Sequence, residues 1–187
     1  MYCLNAEITA IYTSPGHNYF GQPARQPGQH PTHSWQAATV VAGAGLLGDR
    51  FFDIRPHFDR QVTFVALEVF EAVAAALGKT ALQPLVMRRN IVTRGIPLYA
   101  LIGETFTLSG ANWANPIRFH GSKHCAPCAW MDSAIAPGAM RLLRGRGGLR
   151  AQVLDSGVLQ VGTLTITTQR PLSGLSLTDA VAPLPLP

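Results

Sequence analysis

Short stretches of alternating apolar and polar residues, most of them closed by glycine or proline, make up most of the chain. Residues 4–12 alternate well enough for a first strand, and residues 39–41, 62–66, 90–93, 104–109 and 116–120 carry similar strand character. Residues 149–154, 158–161 and 164–168 predict the last strands, with Asp155-Ser156-Gly157 as a hairpin turn between the first two. Helical periodicity is clearest over 68–77, where Val69, Phe70, Val73 and Leu77 share one face and Gly78 supplies the stop. A second, short helix is expected over 137–143, with proline at its start. Residues 14–34, rich in Pro, Gly, Gln and His, read as one long loop. No internal repeat is visible. Many short strands with few helices predict a mostly β, barrel-like domain spanning 1–170. The Pro- and Leu-rich tail, 171–187, is expected to lie extended or frayed at the periphery.

The totals narrow the function classes. The chain has 187 residues, of which 47% are hydrophobic and 13% charged, so it can build a core and is not disordered over most of its length. The net charge is +5, and only two of the fifteen basic residues, Lys79 and Lys123, are lysine. Arginine suits bidentate recognition of phosphate or carboxylate. There is no basic run interleaved with aromatics and no recognition motif, so nucleic acid is not expected as a partner. Three cysteines make no disulfide framework in a chain this long, which points to a reducing cytoplasm. The start carries Glu7 and lacks a basic, then apolar, leader, so no signal peptide is read there. The longest apolar stretch, 37–47, is too short to span a bilayer, so no membrane partner is expected.

Candidate chemistry gathers in Lys123-His124-Cys125-Ala126-Pro127-Cys128-Ala129-Trp130-Met131, which holds two of the three cysteines. Neighbouring cations favour the reactive thiolate. The residues leave several readings open: a redox dithiol, a zinc site recruiting His120 and His124, one reactive cysteine with an auxiliary neighbour, or plain structural thiols. Arg88-Arg89-Asn90 could bind an anion, or place one arginine in solvent and pair the other with a carboxylate. Gly145-Arg146-Gly147-Gly148 could turn backbone N–H groups toward an anion, or be an ordinary helix-to-strand loop. It lacks the ending of a P-loop. Asp49-Arg50 and Asp59-Arg60 could be local turn pairs, or Asp49 could orient a cationic ligand group.

Taken in order, these pieces resemble the MOSC family, the domain found at the C-terminus of molybdenum cofactor sulfurases. The matching residues are Gly45-Leu46-Leu47-Gly48-Asp49-Arg50, Asp59-Arg60-Gln61-Val62-Thr63, Arg88-Arg89-Asn90-Ile91-Val92-Thr93-Arg94-Gly95-Ile96 and Leu101-Ile102-Gly103. They continue with Cys125-x-Pro127-Cys128-x-x-Met131 and Gly145-Arg146-Gly147-Gly148-Leu149-x-Ala151-x-Val153-Leu154, then Gly157. One departure is Gly162-Thr163, where many members have Gly-Asp near the final hairpin.

The resemblance implies a β-barrel-rich domain with few helices. By its Pro-Cys-x-x-Met pattern it marks Cys128, with Cys125 auxiliary, as the thiol that carries sulfur as a persulfide or ligates molybdenum. It implies the molybdenum cofactor, a pterin with a phosphate and a dithiolene-bound metal, held by Arg89, Asn90 and Arg146, with Arg60, Lys123 and the Gly147 backbone next. Arg89, Asn90 and Arg146 are accordingly expected around one cleft that also contains Cys128. For sulfur transfer, a separate pyridoxal-phosphate cysteine desulfurase would supply the sulfur, and this chain is not expected to hold pyridoxal phosphate itself. The alternatives are a molybdenum-dependent reductase of N-hydroxylated compounds, which needs an electron-transfer partner, and a non-catalytic zinc or binding module.

Overall fold

A computed structural model describes residues 1–19 and 28–179. The mostly β expectation holds: seven strands close into a barrel, with three α-helices among the described residues. The closing strand is β1 (Tyr2–Thr13), whose inward residues Ile8 and Ile11 are fully buried. Its first half pairs antiparallel with β11 (Gly162–Thr168), and its second half with β6 (Ile91–Arg94). The register shifts between Ile8 and Ala10. A bulge there bends the strand, which is how one strand can serve two partners and close a barrel. From β11 the barrel continues through β7 (Thr105–Ser109), β8 (Ile117–His124), β9 (Leu149–Val153) and β5 (Val62–Ala66) to β6.

Every barrel pairing is antiparallel except β5 with β6. Parallel neighbours need a crossover, and α1 (Leu67–Ala76) supplies it, burying Val69, Phe70, Val73 and Ala74 against the barrel. Inside, Phe106 stacks on Phe119 at 5.6 Å, and Phe64 meets both edge-on. Three strands thus fill the lumen with one aromatic cluster. A short strand, β2 (His33–Trp35), extends the sheet beyond β1. A separate three-stranded sheet joins β3 (Ala37–Val41), β4 (Gly45–Leu46) and β10 (Gly157–Gln160).

Four expectations change. The hairpin at Asp155-Ser156-Gly157 does not form, because both edges of β9 are already taken by β5 and β8. β10 therefore leaves the barrel and pairs with β3. Asp155 clasps Arg118 with two hydrogen bonds of 2.7 and 2.8 Å, and the Ser156 hydroxyl accepts from Ala42 N–H. Second, β8 runs on to His124, so His120, Lys123 and His124 lie on a strand. Third, the long loop ends at β2, which takes in His33 and Ser34; residues 20–27 of that loop lie outside the described residues. Fourth, an α2 (Trp130–Ala134) follows the cysteines, and α3 (Ala139–Leu142) is shorter than the helix expected there. Of the tail, Leu172 is buried with the core, while residues 180–187 lie outside the described residues.

Candidate functional site

Where β8 ends, the chain crosses the rim of the barrel through Cys125 to Cys128 and enters α2. This crossing is held by the turn that precedes β9. Cys125 N–H donates to Gly148 O at 2.8 Å, one step past the β8–β9 ladder. Gly147 N–H donates to His124 Nε2 at 3.1 Å, and Gly147 O accepts from Arg89 Nε at 3.0 Å. A Cβ at Gly147 would overlap the Cys125 carbonyl oxygen, so glycine lets the two segments close. His124 accepts through Nε2 and is therefore neutral with its proton on Nδ1. Burial, then Arg89 and Arg150, hold its pKa below the ordinary histidine value.

The facing wall is Asp49-Arg50-Phe51. The fully buried Asp49 carboxylate accepts from Ser14 N–H and Phe51 N–H, and it pairs with Arg50 at 3.2 Å. Arg50 also donates to Arg88 O at 3.1 Å. The guanidinium groups of Arg50 and Arg60 lie over the Phe51 ring at 4.8 and 5.2 Å, within cation–π range. Burial lowers the pKa of both arginines, and an anionic Cys125 would oppose that shift in each case. Cys125 thus lies within electrostatic reach of two cations.

Between these walls is a cleft of about 270 Å³, to which Arg50, Arg60, Arg88, Arg89, Arg150, Cys125 and Cys128 contribute. Cys125 is buried, and Cys128 is half-buried. Tyr19 and Trp130 approach each other at 6.5 Å along the same cleft. Among its described lining residues there is no carboxylate. Such a site suits an anion, with two soft sulfur donors on one side.

Of the residues that the resemblance marks for sulfur or cofactor, the structure brings four to this cleft: Arg60, Arg89, Cys125 and Cys128. Gly147 stands behind them and contributes through its backbone. Asn90 is not in the cleft. It is 2% exposed; its side-chain oxygen accepts from Thr63 N–H and the Thr63 hydroxyl, and its amide donates to Tyr12 O. The split falls just before β6, where the Asn90 side chain is turned into the protein by its bonds to Thr63 and Tyr12. Arg146 lines a separate cavity of about 20 Å³ with His124, Tyr99, Leu177 and Asp179, its buried Nε without a hydrogen-bond partner. The expectation that Arg89, Asn90 and Arg146 share the Cys128 cleft therefore holds for Arg89 alone. Lys123 points outward, 67% exposed, and pairs with Asp59 at 3.2 Å.

Arg88 lines the cleft and also has a local role that its motif did not announce. Its φ of 54° is left-handed, and its guanidinium donates to the Ser14 hydroxyl at 2.9 Å and to Gly16 O at 2.5 Å. Burial first, then Arg50, lowers its pKa to about 10. Arg50, expected only as the local partner of Asp49, makes that pair and also belongs to the cleft, as does Arg150, which was not singled out. The Gly-Asp-Arg motif was a signal for Arg50; Arg150, on β9, had none. No three His, Cys, Asp or Glu side chains among the described residues are grouped to hold a metal ion. His120 instead meets the Thr105 hydroxyl at 3.5 Å, so the four-ligand zinc reading is not assembled.

The strand-rich closed barrel is the fold expected of one domain class, and the comparisons agree on that class. The MOSC domain model matches residues 24–164, and the chain belongs to the MOSC domain family. Among solved structures it is similar to the YuaD protein of Bacillus subtilis, with 17% identity and a TM-score of 0.69, covering 90% of this chain and 99% of that one. It is also similar to YiiM of Geobacillus stearothermophilus, with 15% identity and a TM-score of 0.59, covering 92% and 80%. YiiM of Escherichia coli gives 17% and 0.56, covering 89% and 74%. At these identities the likeness is one of fold. No curated protein is similar enough in sequence to count as a relative. Among the described residues no helix is long and apolar enough to cross a membrane.

Proposed function

We propose that this protein carries sulfur in the service of the molybdenum cofactor, with Cys128 as the sulfane-bearing thiol. The observation that carries the reading is a half-buried Cys128 at a cleft walled by arginines and free of carboxylates among its described lining residues. A donor persulfide, formed on a separate cysteine desulfurase, passes its outer sulfur to the Cys128 thiolate. The new S–S bond forms at Cys128 as the donor's S–S bond breaks, and the donor leaves as a thiolate. Arg50 and Arg60 favour negative charge in the cleft throughout this exchange.

The cleft's donor set fits the two ends of the family's cofactor. Arg60 and Arg89 would hold its phosphate, and Cys128 would face its metal. The bound cofactor supplies a soft, redox-active metal centre. Asn90 contributes by fixing the strand start beside Arg89, while Arg146 and Lys123 stand outside this role. Free thiols at Cys3, Cys125 and Cys128 fit a reducing, cytoplasmic setting.

The test uses protein made in a host that synthesises the cofactor. Molybdenum is measured by elemental analysis, and sulfur uptake is measured with a cysteine desulfurase and cysteine. Cys128→Ala is expected to lose both signals, whereas Cys125→Ala still accepts sulfur. Sulfur uptake unchanged in Cys128→Ala would overturn the reading. Molybdenum retention without any sulfur uptake would favour a reductase served by an electron-transfer partner.

A further inference from the structure

We propose that Cys125 is a built-in resolving thiol, which discharges a persulfide on Cys128 as hydrosulfide and closes a Cys125–Cys128 disulfide. The inference rests on the sulfur-carrier reading and adds to it a second chemical activity, sulfide release. Its substrate class is a sulfane-sulfur donor.

Three observations carry it. First, both thiols line one cleft and are separated by only two residues, the spacing at which a Cys-x-x-Cys pair can exchange a disulfide. Second, their exposures differ: Cys125 is 5% exposed and Cys128 is half-buried. An incoming donor therefore reaches Cys128, and Cys125 is met only by sulfur already inside. Burial sets the order of events. Third, the guanidinium groups of Arg50, Arg60 and Arg89 line the same cleft as both thiols, so negative charge passing between the two sulfurs has cations beside it. The backbone of Cys125 is anchored to Gly148, so the exchange needs the Cys128 side to swing inward. Cys3 takes no part: it lies on β1 beside Thr167, outside the cleft.

The step balances without an outside oxidant. The Cys125 sulfur attacks the Cys128 Sγ that bears the extra sulfur. The Cys125–Cys128 S–S bond forms, and the bond from Cys128 Sγ to the outer sulfur breaks. The outer sulfur leaves as hydrosulfide, taking the electron pair and the proton that Cys125 gave up. The sulfane sulfur is reduced and the cysteine pair is oxidised. A dithiol reductant then restores both thiols. The chain would thus hold sulfur only briefly: an acceptor must take it before Cys125 does.

The experiment uses the full chain carrying Cys3→Ser. It is loaded with inorganic polysulfide, desalted rapidly, and followed by intact mass after thiol alkylation, with released sulfide trapped as a bimane adduct. The expected result is sulfide release in step with loss of the added sulfur, and a Cys125–Cys128 disulfide in the peptide map. In Cys125→Ser the added sulfur stays on Cys128, and sulfide release falls to background. Cys125→Ala serves if the serine variant does not fold, and the peptide map needs no variant at Cys125. If the Cys3→Ser chain and the Cys125 variants keep the added sulfur equally long and no disulfide is mapped, the resolving role is overturned while the carrier reading stands. If no chain ever gains sulfur at Cys128, the carrier reading falls, and this inference with it.

Discussion

Residues 88–90 separate two regions that use polar groups in opposite ways. On one side, the arginine cleft keeps Arg50, Arg60, Arg89 and Arg150 along an open wall beside two thiols. On the other, Asn90, Thr63 and Tyr12 form a closed knot, in which the Asn90 side chain meets two donors from Thr63 and one carbonyl from Tyr12. The knot satisfies each of these groups within the protein, and its residues are buried. The cleft leaves charge exposed to whatever enters. A buried polar group with its partners made fixes geometry, whereas arginines gathered around a cleft whose described lining has no carboxylate present positive charge to a ligand, even where a carboxylate stands behind them, as Asp49 does for Arg50 and Asp59 for Arg150. The knot can thus serve as the fixed reference for Arg89, one residue away.

The sharpest way to break this contrast is Asn90→Ala. It leaves the Thr63 N–H and the Tyr12 carbonyl buried without their side-chain partner, and it should cost about 3–5 kcal/mol. Urea unfolding monitored by tryptophan fluorescence measures it; a midpoint close to wild type would show that the knot is replaceable.

A smaller effect separates the regions by pH. Burial first, and then Arg89 and Arg150, hold His124 below its ordinary value. The unfolded chain therefore binds a proton at about pH 6.5 that the folded chain resists until the pH is lower. Stability is full above that value and falls as the pH drops below it. Asp155, held low by its Arg118 hydrogen bonds, adds its own loss only below 3.8. His124→Gln should flatten the first slope and leave the second. Thermal unfolding across this range, with no difference between the two proteins, would remove His124 from the account.

The smallest change in stability, within about 0.5 kcal/mol, is expected for Arg60→Gln. Its effect lies in the cleft, where affinity for inorganic phosphate should fall roughly three- to tenfold, about 1 kcal/mol. Arg146→Gln, in its separate cavity, should leave that affinity unchanged. Titration calorimetry on the two variants decides whether the anion belongs to the cleft or to the turn.

Much of the barrel was legible because its strands are short and alternate. Val62–Ala66 coincides with its expected bounds, and α1 lies within one residue of them. What the sequence could not carry was long-range pairing. Gly157–Gln160 has the pattern of a hairpin's return arm, but its partner was decided by the occupied edges of β9. The five residues of α2 are too few to show a period. In the site, Arg60, Arg89, Cys125 and Cys128 were legible as ordered motif positions. Asn90 was misplaced because an amide serves an anion or a backbone equally well. Which role it takes was decided by Thr63 and Tyr12, two partners far away in the sequence. Arg146 misled for another reason: a glycine-rich turn fixes neither the direction nor the depth of the side chain it carries.

The seam between β1 and β11 has a consequence for biosynthesis. Seven residue pairs, from Tyr2 with Thr168 to Ile8 with Gly162, zip the barrel shut. A ribosome therefore releases β1 more than 150 residues before its last partner exists, and at ordinary elongation rates of about 5–20 residues per second that wait lasts on the order of ten seconds. Through that interval Ile8 and Ile11 stand on a strand with an unpaired edge, the kind of exposed template that nascent-chain chaperones bind. Closure of the cylinder is thus a late, long-range event, and β1 is the segment in which a chaperone footprint on the growing chain should be strongest.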